Sequence, residues 1–304
     1  LSLSYLKNCN AQFDTSYYYN INKAIVLKMQ GKTKESLKLY MMTLKRNKGF
    51  NTDYDDAIRL ALELGKRKLA IKLSQRAVET NGFQFYNSIR TLNRFNYNDS
   101  LFVNVIKQEY PKWRRIHAMK KDDNIIKLSY LIRGLAESEQ TVRAYIHSAD
   151  SSTWKFTDIV DSTNFLEFKC AVETFGFPDI SKLDQKIVQD LELLLIHFRT
   201  LSVVTNTSNY EMHWLDSLMK SQISFGNIHP TVFAFSFDRY YCLYNKKNKN
   251  RELQFYGLFN TLEGYTDIDM IEDVDTRRAS IFLLPLSIHA KISNLTPPYN
   301  YINK

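Results

Sequence analysis

Gly31-Lys-Thr-Lys-Glu-Ser36 and Gly65-Lys-Arg-Lys-Leu-Ala70 set a glycine and the basic, helix-forming run behind it 34 residues apart. A second echo, Gly49-Phe50 and Gly82-Phe83, falls at an interval of 33. Apolar residues recur at helical spacing between these marks. Ile21, Ala24, Ile25 and Met29 lead to Gly31, and Leu37, Tyr40, Met41 and Leu44, behind the capping residue type Thr33, lead to Gly49. Ala57, Leu60, Ala61 and Leu64 then lead to Gly65, and Leu69, Ala70, Leu73, Ala77 and Val78 lead to Gly82. Each stripe gives a helix one apolar face, and glycine ends a helix well because it takes left-handed backbone at little cost. The pattern predicts two helical pairs of a repeat whose faces are buried only by stacking on a neighbour.

The period and the small residues Ser36, Thr43, Ala70 and Ala77, with the large Tyr40, resemble the tetratricopeptide repeat over about 70 residues. The proline that usually closes each unit is absent. That resemblance implies a surface for a protein or peptide partner. A third, degenerate pair is read over Phe83 to Asn93 and Asp99 to Met119, with Pro111 kinking or restarting its last helix. Asp122-Asp123 opens a long helical stretch through Ile125, Leu128, Ile132 and Leu135 towards Tyr145, and the domain boundary is placed there.

The 304 residues carry a net charge of +9, and it is unevenly spread. Residues 1–150 hold 26 Lys and Arg against 14 Asp and Glu, and the remainder hold 15 against 18. The basic residues of the first half are dispersed at helical intervals, and even the densest cluster, Lys112-Trp113-Arg114-Arg115 with Lys120-Lys121, reads as a solvated helix face rather than a phosphate clamp. Nucleic acid is therefore disfavoured as a partner. No apolar run approaches the roughly 20 residues that cross a bilayer, so no membrane span is expected. Cys9, Cys170 and Cys242 are too few and scattered for a disulfide framework. Residues 1–12, ending Asn10-Ala-Gln12, read as the remnant of a signal segment, although Lys7 interrupts its apolar region. Export to the periplasm or cell envelope follows from that reading, and a cytoplasmic location from its failure.

Beyond the boundary, helices are expected over Thr163 to Thr174, Leu183 to Leu201, Tyr210 to Gln222 and Val274 to Ser280. Thr231 to Tyr244 and Glu252 to Tyr256 are rich in aromatic residues that alternate, and are read as a β-hairpin joined by the polar Lys246 to Asn250, with His229-Pro230 leading into its first strand. The expected fold is mostly α: N-terminal α-hairpin repeats over 13–121, then an α+β domain over 122–292 with several helices and a β-hairpin, and a tail over 293–304.

Taken in order, Glu139-Gln-x-x-Arg143, Ser162-Thr-Asn164, Phe175-Gly-Phe-Pro178, Ile196-His197, Phe237-Asp-Arg239, Tyr256-Gly257 and Val274-Asp-Thr-Arg-Arg278 resemble a bacterial family of unknown function. That family is often found behind helical repeats and in exported Bacteroidetes-type proteins. Its pattern runs Asp-Gln-x-x-Arg, Asn, Tyr-Gly-Trp/Phe-Pro, Gln-His, Asp-Arg, Tyr-Gly-Thr-Gln and Val-Asp-x-Arg-Arg. This chain departs from it at Ile196 and at Leu258-Phe259, where polar residues have become apolar.

Two readings of the matching residues stand side by side. His197 lies on an otherwise apolar helix as a buried, hydrogen-bonded residue, and Asp238 pairs with Arg277 or Arg278 for structural reasons. Alternatively His197, Asp238, Arg239, Tyr256, Arg277 and Arg278 converge as a pocket for an anionic substrate, with His197 as acid or base and the arginines as clamps. Phosphate-loop, dinucleotide, zinc-protease and nucleophile-elbow motifs are all missing, and the six histidines never fall at metal-ligand spacing, so neither cofactor nor metal is expected. A protein-binding scaffold built on the repeats is the leading expectation, and an enzyme or degenerate enzyme the alternative.

Overall fold

The computed structural model describes residues 16–46, 49–85, 99–146, 154–205, 209–249, 252–258, 260–261, 264–265, 267–293 and 301. The signal remnant at 1–12, most of the helix read over Phe83 to Asn93, Phe259 and nearly all of the tail lie outside them.

The first four helices follow the stripes. They are α1 (Ser16–Met29), α2 (Thr33–Arg46), α3 (Asn51–Glu63) and α4 (Arg67–Asn81), each packed on the next. Gly31 and Gly65 end α1 and α3 in the same way, with φ of 74° and 70°. Behind each, a backbone N–H reaches five residues back, Lys32 to Leu27 at 2.9 Å and Lys66 to Ala61 at 2.7 Å, which satisfies a carbonyl that the helix end leaves open. The repeat is equally visible in what is buried. Ser36 and Ala70, 34 residues apart, are both sealed, as are Tyr40 and Ser74. Ser36 donates its hydroxyl to the Ala24 carbonyl at 2.7 Å, so a small side chain lets α2 approach α1 and keeps its own polar atom bonded. Tyr17 donates to Asp53, and the Phe50 N–H, at the start of α3, donates to the Tyr17 oxygen at 3.0 Å. That buried network locks the second hairpin to the first.

Asp99 caps α5 (Ser100–Ala118), accepting the Phe102 N–H at 3.0 Å, and the helix continues through Pro111 without a restart. It packs on α4. The second half is built from α6 (Asp123–Ile146), α7 (Trp154–Phe175), α8 (Gln185–Thr205), α9 (Asn209–Ser224) and α10 (Pro230–Lys249). Helices α6, α7 and α8 pack mutually, and α10 packs along α8. Among the described residues four two-residue strands follow: β1 (Leu253–Gln254) pairs in parallel with β4 (Asp267–Ile268), and β2 (Asn260–Thr261) pairs antiparallel with β3 (Gly264–Tyr265). Short helices α11 (Val274–Ser280) and α12 (Leu286–Ile292) complete the described fold. It is a mostly α architecture with a small β element.

The strand read over Thr231 to Tyr244 is the main correction, because those residues lie within α10. Aromatic and β-branched residues favour strands as a tendency that tertiary context overrides. Here the apolar residues occupy both parities, which would leave a strand apolar on both faces. A helix sorts them instead: Ala234, Asp238, Cys242 and Asn245 recur at helical spacing and are all buried. Pro230 opens a helix rather than a strand, since its missing N–H costs nothing at a first helical position. Hairpin pairing does occur, but further on, at β2 and β3.

One apolar core runs from Tyr17 to Leu283, across both units read from the sequence. Tyr18 stacks on Phe282 with ring centroids 4.7 Å apart and donates to the Ile223 carbonyl at 2.7 Å. Asn22 donates to the Phe282 carbonyl at 2.9 Å, and Phe50 meets His229 edge to face. The basic cluster of α5 takes part as well. Arg114 and Lys121 both bond Asp184, at 2.5 and 2.7 Å, and Arg114 also donates to the Gly82 carbonyl. This part of the basic face is a strut to the start of α8, not a solvated surface.

Candidate functional site

Glu139 and Arg143 are one turn apart on α6 and therefore share a face. Asp161 and Asn164 share a face of α7 in the same way. His197 on α8 and Arg239 on α10 bring two more polar groups towards these, so four helices supply one cluster. Their partners are specific. Glu139 accepts from Arg143 Nε at 2.6 Å with Oε1, the oxygen that also meets His197 Nδ1. Arg143 reaches on to Asp161 Oδ2 at 2.5 Å. Asn164 underpins the cluster by donating to the Leu135 carbonyl at 3.0 Å.

The acids are sealed while the arginine opens outwards. The side chains of Glu139 and Asp161 are 1% and 7% exposed, against 20% for Arg143. Burial pushes the Glu139 carboxyl up, but His197 and Arg143 outweigh it and hold the group below its ordinary range. It stays a carboxylate. Asp161 goes the other way: burial raises it to about 6, with Arg143 opposing and Glu139 adding to the rise. A carboxylate on Nδ1 assigns the ring proton to that nitrogen in the neutral imidazole and leaves Nε2 as the basic one. Such a pair can hold and return a proton.

The cluster is incomplete in its own hydrogen bonds. Glu139 Oε2 and Asp161 Oδ1 are enclosed and accept no hydrogen bond among the described residues. Arg239 stands in the field of Arg143, Glu139 and Asp161, and burial and then Arg143 lower its pKa. Among the described residues it makes no hydrogen bond and no ion pair. Buried polar atoms without partners are costly, and in a native chain they call for an explanation.

The other residues singled out from the sequence lie around the loop that follows β1, residues 255–258. Asp238 neighbours Arg239 on α10 but points ~100° away around the helix. It is sealed, and it accepts three backbone N–H groups: Phe255 at 2.8 Å, Tyr256 at 2.6 Å and Leu258 at 2.6 Å. The expected pairing with Arg277 or Arg278 is replaced by this cap, and Arg278 acts on Asp238 only through its charge. Burial still raises Asp238 to about 6. Arg277 donates to the carbonyls of Phe255, Met270 and Asp269 and lies over the Phe255 ring at 4.3 Å. Arg278, fully buried, donates to the carbonyls of Leu284 and Tyr256 at 2.6 Å each. Tyr256 packs among Phe233, Phe237 and Phe255, and burial lifts its hydroxyl to about 12. These four residues frame the loop.

Of the six residues read from the sequence, His197 and Arg239 therefore belong to the four-helix cluster. Glu139 and Arg143 were present in the motif pattern without being chosen as site residues, and the i, i+4 acid–base pair was the signal for them. Asp161 had a weaker signal, its place one turn ahead of Asn164. Among the described residues no group of three His, Cys, Asp or Glu side chains could hold a metal ion. No family model, no curated protein and no solved structure matches this chain.

Proposed function

We propose that the four-helix cluster is an acid–base site for a small substrate carrying one anionic group and at least one N–H or O–H donor. The observation that carries this reading is the set of unsatisfied polar groups: two enclosed acceptor atoms, Glu139 Oε2 and Asp161 Oδ1, beside a guanidinium, Arg239, that bonds nothing among the described residues. An anion satisfies Arg239, and a donor on the same molecule satisfies the carboxylates. His197, oriented by Glu139, then takes or gives the proton. Arg143 holds the two acids in register.

A scaffold for a protein or peptide partner, with tetratricopeptide-like pairs as the gripping surface, has less support. The helices that would face a partner, α1 and α3, contribute Tyr18, Asn22 and Asn51 to contacts or cavity walls shared with the second half of the chain. That face is occupied internally.

The test is depletion of anionic compounds from a metabolite extract, followed by mass spectrometry. The native chain is expected to consume or convert at least one such compound, and His197→Gln and Arg239→Met, verified as folded by circular dichroism, should not. Equal activity in all three, or none in the native chain, would refute the reading.

A further inference from the structure

A cavity of about 530 Å³ lies where the helical pairs meet the second half, apart from the cluster just described. Four helices contribute to its walls. Helix α8 turns Gln185, Val188, Gln189 and Glu192 towards it at helical spacing, while α1 supplies Tyr18, Ile21 and Ile25. The start of α3 and the end of α4 add Asn51 and Asn81. The volume is in the range of small-molecule sites, and apolar walls with a few polar groups are what such sites present.

Three acceptors in the wall have no donor among the described residues. Glu192 makes no hydrogen bond and no ion pair among the described residues. Asn81 is 6% exposed; its amide nitrogen donates to the Gly49 carbonyl at 2.6 Å, which fixes its orientation and leaves Oδ1 enclosed without a donor. Asn51 Oδ1 is enclosed without a donor as well. The charges point the same way. Asp56 and Asp179 also line the space, whereas His229 and His289 are pushed down to about 4 by burial and are neutral near pH 7. The cation in the wall, Arg278, is bonded to two carbonyls.

The wall also contains a backbone conformation that few side chains adopt. Phe282 has a φ of 63°, and it is held there by the Tyr18 stack and by the Asn22 bond to its carbonyl. Non-glycine residues in this region are strained, and such residues cluster at ligand sites. The result here is an aromatic plate, Phe282 on Tyr18, at the edge of an acceptor-lined space.

We infer that this cavity binds a small primary amine with an aromatic or branched apolar body, its ammonium bonded by Glu192, Asn51 and Asn81 and its body against Tyr18 and Phe282. The ammonium group supplies three donors for these three acceptors, and its positive charge favours Glu192 as the carboxylate.

Titration calorimetry on the full chain tests this with phenethylamine as probe, and with 3-phenylpropionate and phenethyltrimethylammonium as matched controls. Phenethylamine should bind saturably, the carboxylate should not bind, and the trimethyl compound, which keeps the charge but has no N–H, should bind at least tenfold more weakly. Glu192→Gln, which keeps the side-chain volume, should weaken phenethylamine tenfold or more. Binding of the acid as tightly as the amine, equal binding of the trimethyl compound, equal binding by the folded Glu192→Gln variant, or no saturable binding of phenethylamine at millimolar concentration would each overturn the inference. None of these outcomes bears on His197 or Arg239, so the acid–base site stands or falls separately.

Discussion

At the scale of single residues the two arginines of the cluster do different things, and their substitution separates them. Arg143 is bonded to two sealed carboxylates. Its removal by Arg143→Met leaves both acids buried without their cation, a change that costs about 3 kcal/mol or more. Arg239 makes no ion pair among the described residues, so Arg239→Met should stay within about 1 kcal/mol of the native stability. Urea denaturation measures both, and a loss of equal size at the two positions would contradict these assignments. The same contrast explains what could be read beforehand. His197 and Arg239 stood out by residue type against apolar and aromatic neighbours. Asp238 stood out just as clearly, yet its role is to cap three N–H groups of a loop 17 to 20 residues further on. A charged residue in an apolar run announces that it needs a partner, but not which partner. Backbone groups leave no mark in the sequence, so carboxylate-to-backbone and guanidinium-to-carbonyl bonds, which absorb Asp238, Arg277 and Arg278, were out of reach.

At the scale of elements, legibility followed amphipathicity. Helices α1 to α4 carry one apolar stripe each and a glycine at or just beyond the end, and the ends read from the stripes agree with the observed ones to within about three residues. Val274–Ser280 agrees at both ends. Helix α10 was illegible because it is buried on most sides: it packs on α8, on β1 and on α9, so apolar and aromatic residues fall at nearly every position and the helical period is hidden. Hydrogen exchange distinguishes the two structures for this segment. As a helix, Ala234 to Asn245 should show contiguous slow exchange, because every amide there is bonded within the helix. Protection at alternate residues only, as an edge strand with one solvated side gives, would restore the strand. The turn glycines, by contrast, could be placed from sequence alone, since a positive φ restricts residue type so strongly.

At the scale of the whole molecule, the helical pairs and the second half share one core, and the groups enclosed by that union set how stability responds to pH. Among the described residues four carboxyls are raised furthest, each chiefly by burial: Asp53 and Glu192 to about 7, Asp161 and Asp238 to about 6, from 3.8 for Asp and 4.5 for Glu. A raised carboxyl keeps its proton in the folded chain after the unfolded chain has lost it, so each one costs stability as pH rises from its unfolded value through its folded one. His229 and His289 act in the opposite sense. Lowered from 6.5 to about 4, they are neutral in the folded chain where the unfolded chain is protonated, and they cost stability as pH falls from 6.5 towards 4. Between these limits these four carboxyls keep protons that the unfolded chain has released, with Asp55 and Asp158 raised as well, against His229, His289 and the likewise lowered His117. The carboxyls prevail, and above 6.5 the histidines drop out altogether while Asp53 and Glu192 are still titrating. The urea midpoint should therefore rise when the pH is lowered from about 7.5 to about 5.5. Glu192→Gln, which removes one of the four without changing the cavity's shape, should flatten that rise, and a midpoint that instead falls steadily over the same range would show that these carboxyls are ionised in the folded chain.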